Sequence, residues 1–202
     1  MTTKTVTGLF DRYDDAAKAV YALEAAGMPA RDISLVANNV DGHAKSVATT
    51  EAGVGAGTGA AVGGVAGGAA GVLTGLGALA IPGVGPVVAA GWLVAAAAGA
   101  AIGATAGAAA GGFTGLFIAA GLSRDDANFY AEGIRRGGAV VTVKPDDKHM
   151  AVAEQILRRG TVSPIERIKL YRDSGWSEFN PEAVPYTPAE IETERQRYHS
   201  GL

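Results

Sequence analysis

Residues 52–123 read AGVGAGTGAAVGGVAGGAAGVLTGLGALAIPGVGPVVAAGWLVAAAAGAAIGATAGAAAGGFTGLFIAAGLS. These 72 residues contain no Asp, Glu, Lys, Arg or His, and they hold 21 of the chain's 30 glycines. The glycines are spaced. Gly55, Gly59, Gly63, Gly67, Gly71 and Gly75 recur at every fourth position. Gly91, Gly99, Gly103, Gly107, Gly111 and Gly115 keep the same interval, with Ala95 filling the one gap. Between the two series stands Ile81-Pro82-Gly83-Val84-Gly85-Pro86, whose two prolines mark a turn. A period of four places residues on one helix face, so each series predicts a side-chain-free groove along a helix. Each interior Gly costs a helix ~1 kcal/mol relative to Ala. Close approach of a second backbone is what offsets that cost. The stretch is therefore expected to be a helical hairpin, with arms over 53–80 and 87–121, and the twelve glycines are its expected assembly positions.

Outward from it, both flanks read as α+β. Residues 4–10 alternate as a strand, and Ala16, Val20, Leu23 and Ala26 follow at helical spacing up to Gly27. Asp32 to Ala37 reads as a second strand. On the far side, Ser123 is an expected N-cap with Asp126 three residues on. Ala127, Tyr130, Ala131 and Ile134 form one apolar face before Gly137-Gly138. Residues 139–143 (AVVTV) are the strongest strand signal, Asp146 is expected to cap the next helix, and Thr161-Val162 to form a short last strand. Neither flank alone buries enough surface to be stable. The expected fold is thus α+β, a small ferredoxin-like sandwich. Residues 1–45 and 123–162 are its halves, 52–122 the inserted hairpin, and 163–202 a helical and extended tail. In that tail Ser163-Pro164-Ile165-Glu166 and Thr187-Pro188-Ala189-Glu190 are helix starts. Trp176, Phe179 and Tyr186 are expected to fold back on the domain, and the last helix, nearly all polar, to face solvent or a partner.

At residues 123–143, SRDDANFYAEGIRRGGAVVTV, the sequence resembles the bacterial general stress protein family, also called heat-induced stress proteins. Residues 6–20, VTGLFDRYDDAAKAV, are similar to that family's opening. The resemblance spans about 4–35 and 123–159, and the Gly/Ala-rich stretch looks like the glycine-zipper insert of its relatives. It implies a stress-linked, non-enzymatic protein and supplies no catalytic residues.

The remaining chemistry is sparse. With 17 basic and 20 acidic residues the net charge is −3, which offers no footprint for nucleic acid. The absence of Cys excludes disulfides and thiolate metal sites. The glycines follow no strand and precede no Gly-Lys-Ser/Thr, so they do not read as a phosphate loop. His43, His149 and His199 fall in three segments, without a second ligand at helical spacing. Asp125-Asp126 and Asp146-Asp147 read as helix-start acids, and Arg135-Arg136 and Arg158-Arg159 as helix-end cations, with lipid head groups as the second reading of the arginines. No catalytic, cofactor or metal site is expected, and no small-molecule substrate.

Two placements of the hairpin follow. In the first it inserts in the cytoplasmic membrane and self-assembles there, with both termini in the cytoplasm. Lys45, Arg124, Arg135 and Arg136 then stand on the retained side. In the second, the alternative, hairpins of several copies pack as the core of a soluble cytoplasmic homo-oligomer. A monomer would expose far more apolar surface than a few hundred Å².

Overall fold

The computed structural model describes residues 4–42, 77–93 and 108–200. Five strands form one sheet: β1 (Val6–Phe10), β2 (Ile33–Asn38), β3 (Gly77–Ile81), β4 (Gly85–Gly91) and β5 (Ala139–Val143). Their order is β1-β5-β2-β4-β3, and every neighbouring pair is antiparallel. Helix α1 (Tyr13–Ala25) carries the chain from β1 to the parallel β2, with β5 seated between them. The other α-helices among the described residues are α2 (Ala108–Ala119), α3 (Arg124–Arg135), α4 (Met150–Arg158), α5 (Pro164–Asp173) and α6 (Pro188–Ser200).

Alternation along the strands divides the core in two. On one face Phe10, Ile33, Leu35, Val88, Val141 and Val143 pack with Val20 and Leu23 of α1 and Leu157 of α4. On the other, Leu9, Val36, Val87, Ala89 and Val140 pack with Phe113 and Phe117 of α2, Phe129 and Ile134 of α3, and Tyr171 of α5. Both faces are covered, so β2 and β5 are buried along their whole lengths, polar Ser34, Asn38 and Thr142 included. The expected α+β class holds, and the sheet is a middle layer between helices.

The helical hairpin is corrected where it is described. The end of its first arm and the start of its second are strands, not helices: residues 77–81 and 85–91 form a β-hairpin that adds two strands beyond β2. The reason is the edge of β2. Its outward backbone groups need partners, and Val87-Val88 supplies β-branched side chains to both covered faces. Intrinsic spacing lost to tertiary pairing. Pro82-Gly83 does make the expected turn: Val84 N–H donates to Ile81 O at 3.1 Å, and Gly83 holds φ +75°. Gly91, expected in a helical groove, ends β4 at φ +90°, where a Cβ would strike Ile33 O. Gly111 and Gly115 lie in α2. Gly55, Gly59, Gly63, Gly67, Gly71, Gly75, Gly99, Gly103 and Gly107 lie outside the described residues.

Three smaller expectations also change. Thr161-Val162 is not a strand: Val162 N–H donates to Leu9 O at 2.8 Å, and Thr161 N–H donates back to Leu157 O at 3.2 Å. Helix α4 has His149 at its N-cap, and Asp146 caps the turn before it. The polar last helix is docked, with Ile191, Glu194 and Arg195 buried.

Candidate functional site

Two features concentrate the polar chemistry of the described residues. The first is a cleft of about 750 Å³ at the end of the sheet where β1 and β2 begin and β5 ends. Lys4, Arg31 and Lys144 bring positive charge to its lining, and Asp32, Asp146 and Asp147 negative charge; Met28, Pro29, Pro145 and Met150 form apolar wall. Asp146 Oδ1 accepts from the His149 backbone N–H at 3.0 Å and lies 2.6 Å from His149 Nδ1. That backbone bond first, and the ring second, hold the Asp146 carboxyl below its ordinary range. Gly27 borders the imidazole: a Cβ there would make ordinary van der Waals contact with His149 Nε2, at 3.7 Å. Lys144 Nζ sits 3.3 Å from the centre of the Trp92 ring, a cation–π contact that fixes one wall. A carboxylate-oriented imidazole can exchange a proton or accept a hydrogen bond. Among the described lining residues there is no Ser, Thr or Cys beside it. No group of three or more His, Asp or Glu among the described residues is placed to hold a metal ion.

The second feature is an ionic clasp between the domain and its C-terminal segment. Arg136, at the end of α3, donates from Nε to Glu132 at 2.6 Å and from Nη1 to Glu194 of α6 at 2.8 Å. Its guanidinium lies 4.4 Å from the Tyr171 ring centre. Burial disfavours the Arg136 cation, but the bond to Glu132 and that carboxylate's charge outweigh it, so its pKa stands above the ordinary value. Arg167 of α5 forks onto Asp11 at 2.6 and 3.1 Å and stacks 3.5 Å from the Tyr198 ring centre. Arg195 donates to Asp41 at 2.7 Å and to Gly137 O at 3.1 Å. Ile191 fills the space a side chain at Gly137 would take. Between α5 and α6 the chain crosses the β3–β4 turn, where Asn180 and Pro181 close on Gly83.

Arg135 lies in the last turn of α3 and Arg136 caps it, as the helix-end reading has it; the clasp engages both within the protein, against the second reading, lipid head groups. Arg136 is spent inside the protein, and Arg135 pairs with Glu132 at 3.0 Å and with Val184 O at 3.2 Å. Phe179 is buried, and Tyr186 lies 4.5 Å below the Arg135 guanidinium. Sequence reasoning missed Glu132, Glu194, Arg195 and Asp11. A signal existed for α6: Ile191, Glu194, Arg195 and Tyr198 share one helix face at spacings of three, one and three.

No helix among the described residues is long and apolar enough to cross a membrane. No curated protein and no solved structure matches the chain. A family model does: residues 5–82 match the heat induced stress protein YflT domain, which makes this part of the chain similar to a stress-protein family.

Proposed function

We propose that this is a non-enzymatic, stress-associated structural protein. It works as a cytoplasmic homo-oligomer held together through its glycine-rich segments. The reading takes the α+β unit as ferredoxin-like in layout, which the run β1-α1-β2 and β5-α4, with Val162 beside Leu9, supports. The similarity of residues 5–82 to the heat-induced stress domain supports the stress association. The observation that carries the assembly reading is that 72 consecutive residues lack any charge, while both described pieces of that stretch are built into the folded core. So apolar a chain needs cover, and glycine at every fourth position suits cover by another backbone.

The soluble assembly is favoured over the membrane hairpin for a geometric reason. The turn that was to cross the bilayer, residues 81–86, lies under Asn180 and Pro181 of the same domain.

Sedimentation of the full chain tests the reading. Wild type is expected as an oligomer, and Gly63→Leu with Gly67→Leu, or Gly103→Leu with Gly107→Leu, is expected to dissociate it. Unchanged mass in both double variants overturns assembly through the glycines. Retention of wild type with membranes after carbonate washing, together with flotation on liposomes, would restore the membrane placement.

A further inference from the structure

The two edges of the sheet differ. On β1, alternation turns the backbone groups of Thr7 and Leu9 away from β5. Both outward carbonyls are satisfied: Leu9 O accepts from Val162 N–H at 2.8 Å, and Thr7 O from the Tyr130 hydroxyl at 3.2 Å. On the opposite edge, Asn39 N–H donates to Pro86 O at 2.8 Å, so Pro86 faces β2 and its neighbours Val87 and Ala89 face β3. Leu79 and Gly77, opposite Val87 and Ala89, therefore bond inward. The N–H and C=O of Ala78 and of Ala80 point away from the sheet. β3 is the last strand in the order of the described sheet.

Edge strands are ordinarily blunted by Lys, by Pro or by a bulge. Gly77-Ala78-Leu79-Ala80-Ile81 has none of these within it. We infer that β3 pairs with β3 of a second copy of this chain, antiparallel, about a two-fold axis at Leu79. The strand is self-complementary in this register. Ala78 faces the partner's Ala80, and Ala80 the partner's Ala78, so every outward group on both copies finds a partner and the sheets join into ten strands. Residues 52–123 carry no charge, so the two strands meet without like-charge repulsion. This interface is separate from the glycine segments and does not depend on their packing.

The chain has no Cys, so a single introduced thiol reports cleanly. In the inferred register Leu79 and its counterpart form a non-hydrogen-bonded pair about 4.5 Å apart at Cα, within disulfide range. Under mild oxidation Leu79→Cys is expected to cross-link to twice the chain mass of 20.2 kDa, at least tenfold faster than Lys18→Cys on the exposed face of α1. Ala80→Pro removes an outward N–H while sparing the bonds to β4, so it is expected to abolish the cross-link and halve the mass of the pair. Circular dichroism checks that the Pro variant folds. If it does not, the cross-linking rates of the two Cys variants decide alone. Equal rates at 79 and 18 overturn the inference. An oligomer that persists in Ala80→Pro but dissociates in the glycine variants overturns this edge contact and leaves assembly through the glycines standing. A wild-type chain that sediments singly overturns both, and would mean that the chain covers its own edge.

Discussion

Arg136 Nη1 donates to Glu194 Oε2 at 2.8 Å, joining the end of α3 to the last helix across 58 residues of chain. Both side chains are buried, and Glu132 shares the same guanidinium. Breaking a buried pair from one side costs about 3–5 kcal/mol, because the other charge stays behind. Arg136→Met is therefore expected to lower stability by about 3 kcal/mol, read as a lower urea midpoint at unchanged slope. Arg136→Lys is expected to recover less than half, since a point charge cannot serve both carboxylates and lie on Tyr171.

Gly91 and Gly121 hold the same left-handed φ, near +90°, in different surroundings. Nothing lies within 4 Å of a Cβ at Gly121, whereas one at Gly91 meets the β2 backbone at Ile33 and Ser34. Gly121→Ala is expected to cost about 1 kcal/mol from backbone strain alone. Gly91→Ala is expected to cost more than about 3 kcal/mol, because β4 must move off β2. Thermal melts of the two variants side by side make the comparison.

Burial, and then the charge of Asp126, push the Tyr130 phenol up to about 12 from 10.0. A folded pKa above the unfolded one gives stability that is whole below pH 10 and lost as pH rises toward 12. Tyr171 is shifted the same way by burial. Phenolate absorbance is thus expected to rise in two stages, with the buried tyrosines titrating only as circular dichroism reports unfolding. Tyr130→Phe is expected to shrink the second stage.

Asp146 runs in the opposite direction. Its folded pKa is depressed, so its contribution is present above the ordinary 3.8 and disappears as pH falls below it. The melting temperature is expected to drop over that acid window, and Asp146→Asn to flatten the drop by lowering the neutral-pH melting temperature toward the acid value. Imidazole resonances of His149 should shift in the variant, since the ring loses its charged acceptor.

What could be read from the chain depended on whether the signal was local. Helix starts were legible because they are closed by neighbours. Ser123 Oγ accepts from Asp126 N–H, and Thr187 and Glu190 bond each other reciprocally, as their spacing implied. Strands β1, β2 and β5 were legible from alternation and β-branching. The β3–β4 hairpin was not, because its identity is set by the unpaired edge of β2, 50 residues away in sequence; glycine periodicity pointed the other way. The clasp was hidden for a similar reason. Nothing near Glu194 announces that Arg136 will meet it.

The sheet order carries one more consequence. Strands encoded before the glycine-rich stretch, β1 and β2, alternate in space with β5 and β4, which are encoded within and after its second half. Severing the backbone between 43 and 76 would therefore yield two polypeptides that interdigitate: β5 of one lies zipped between both strands of the other. Such a nicked protein should stay associated without a covalent link, and the two pieces, produced separately, should reconstitute as a split protein.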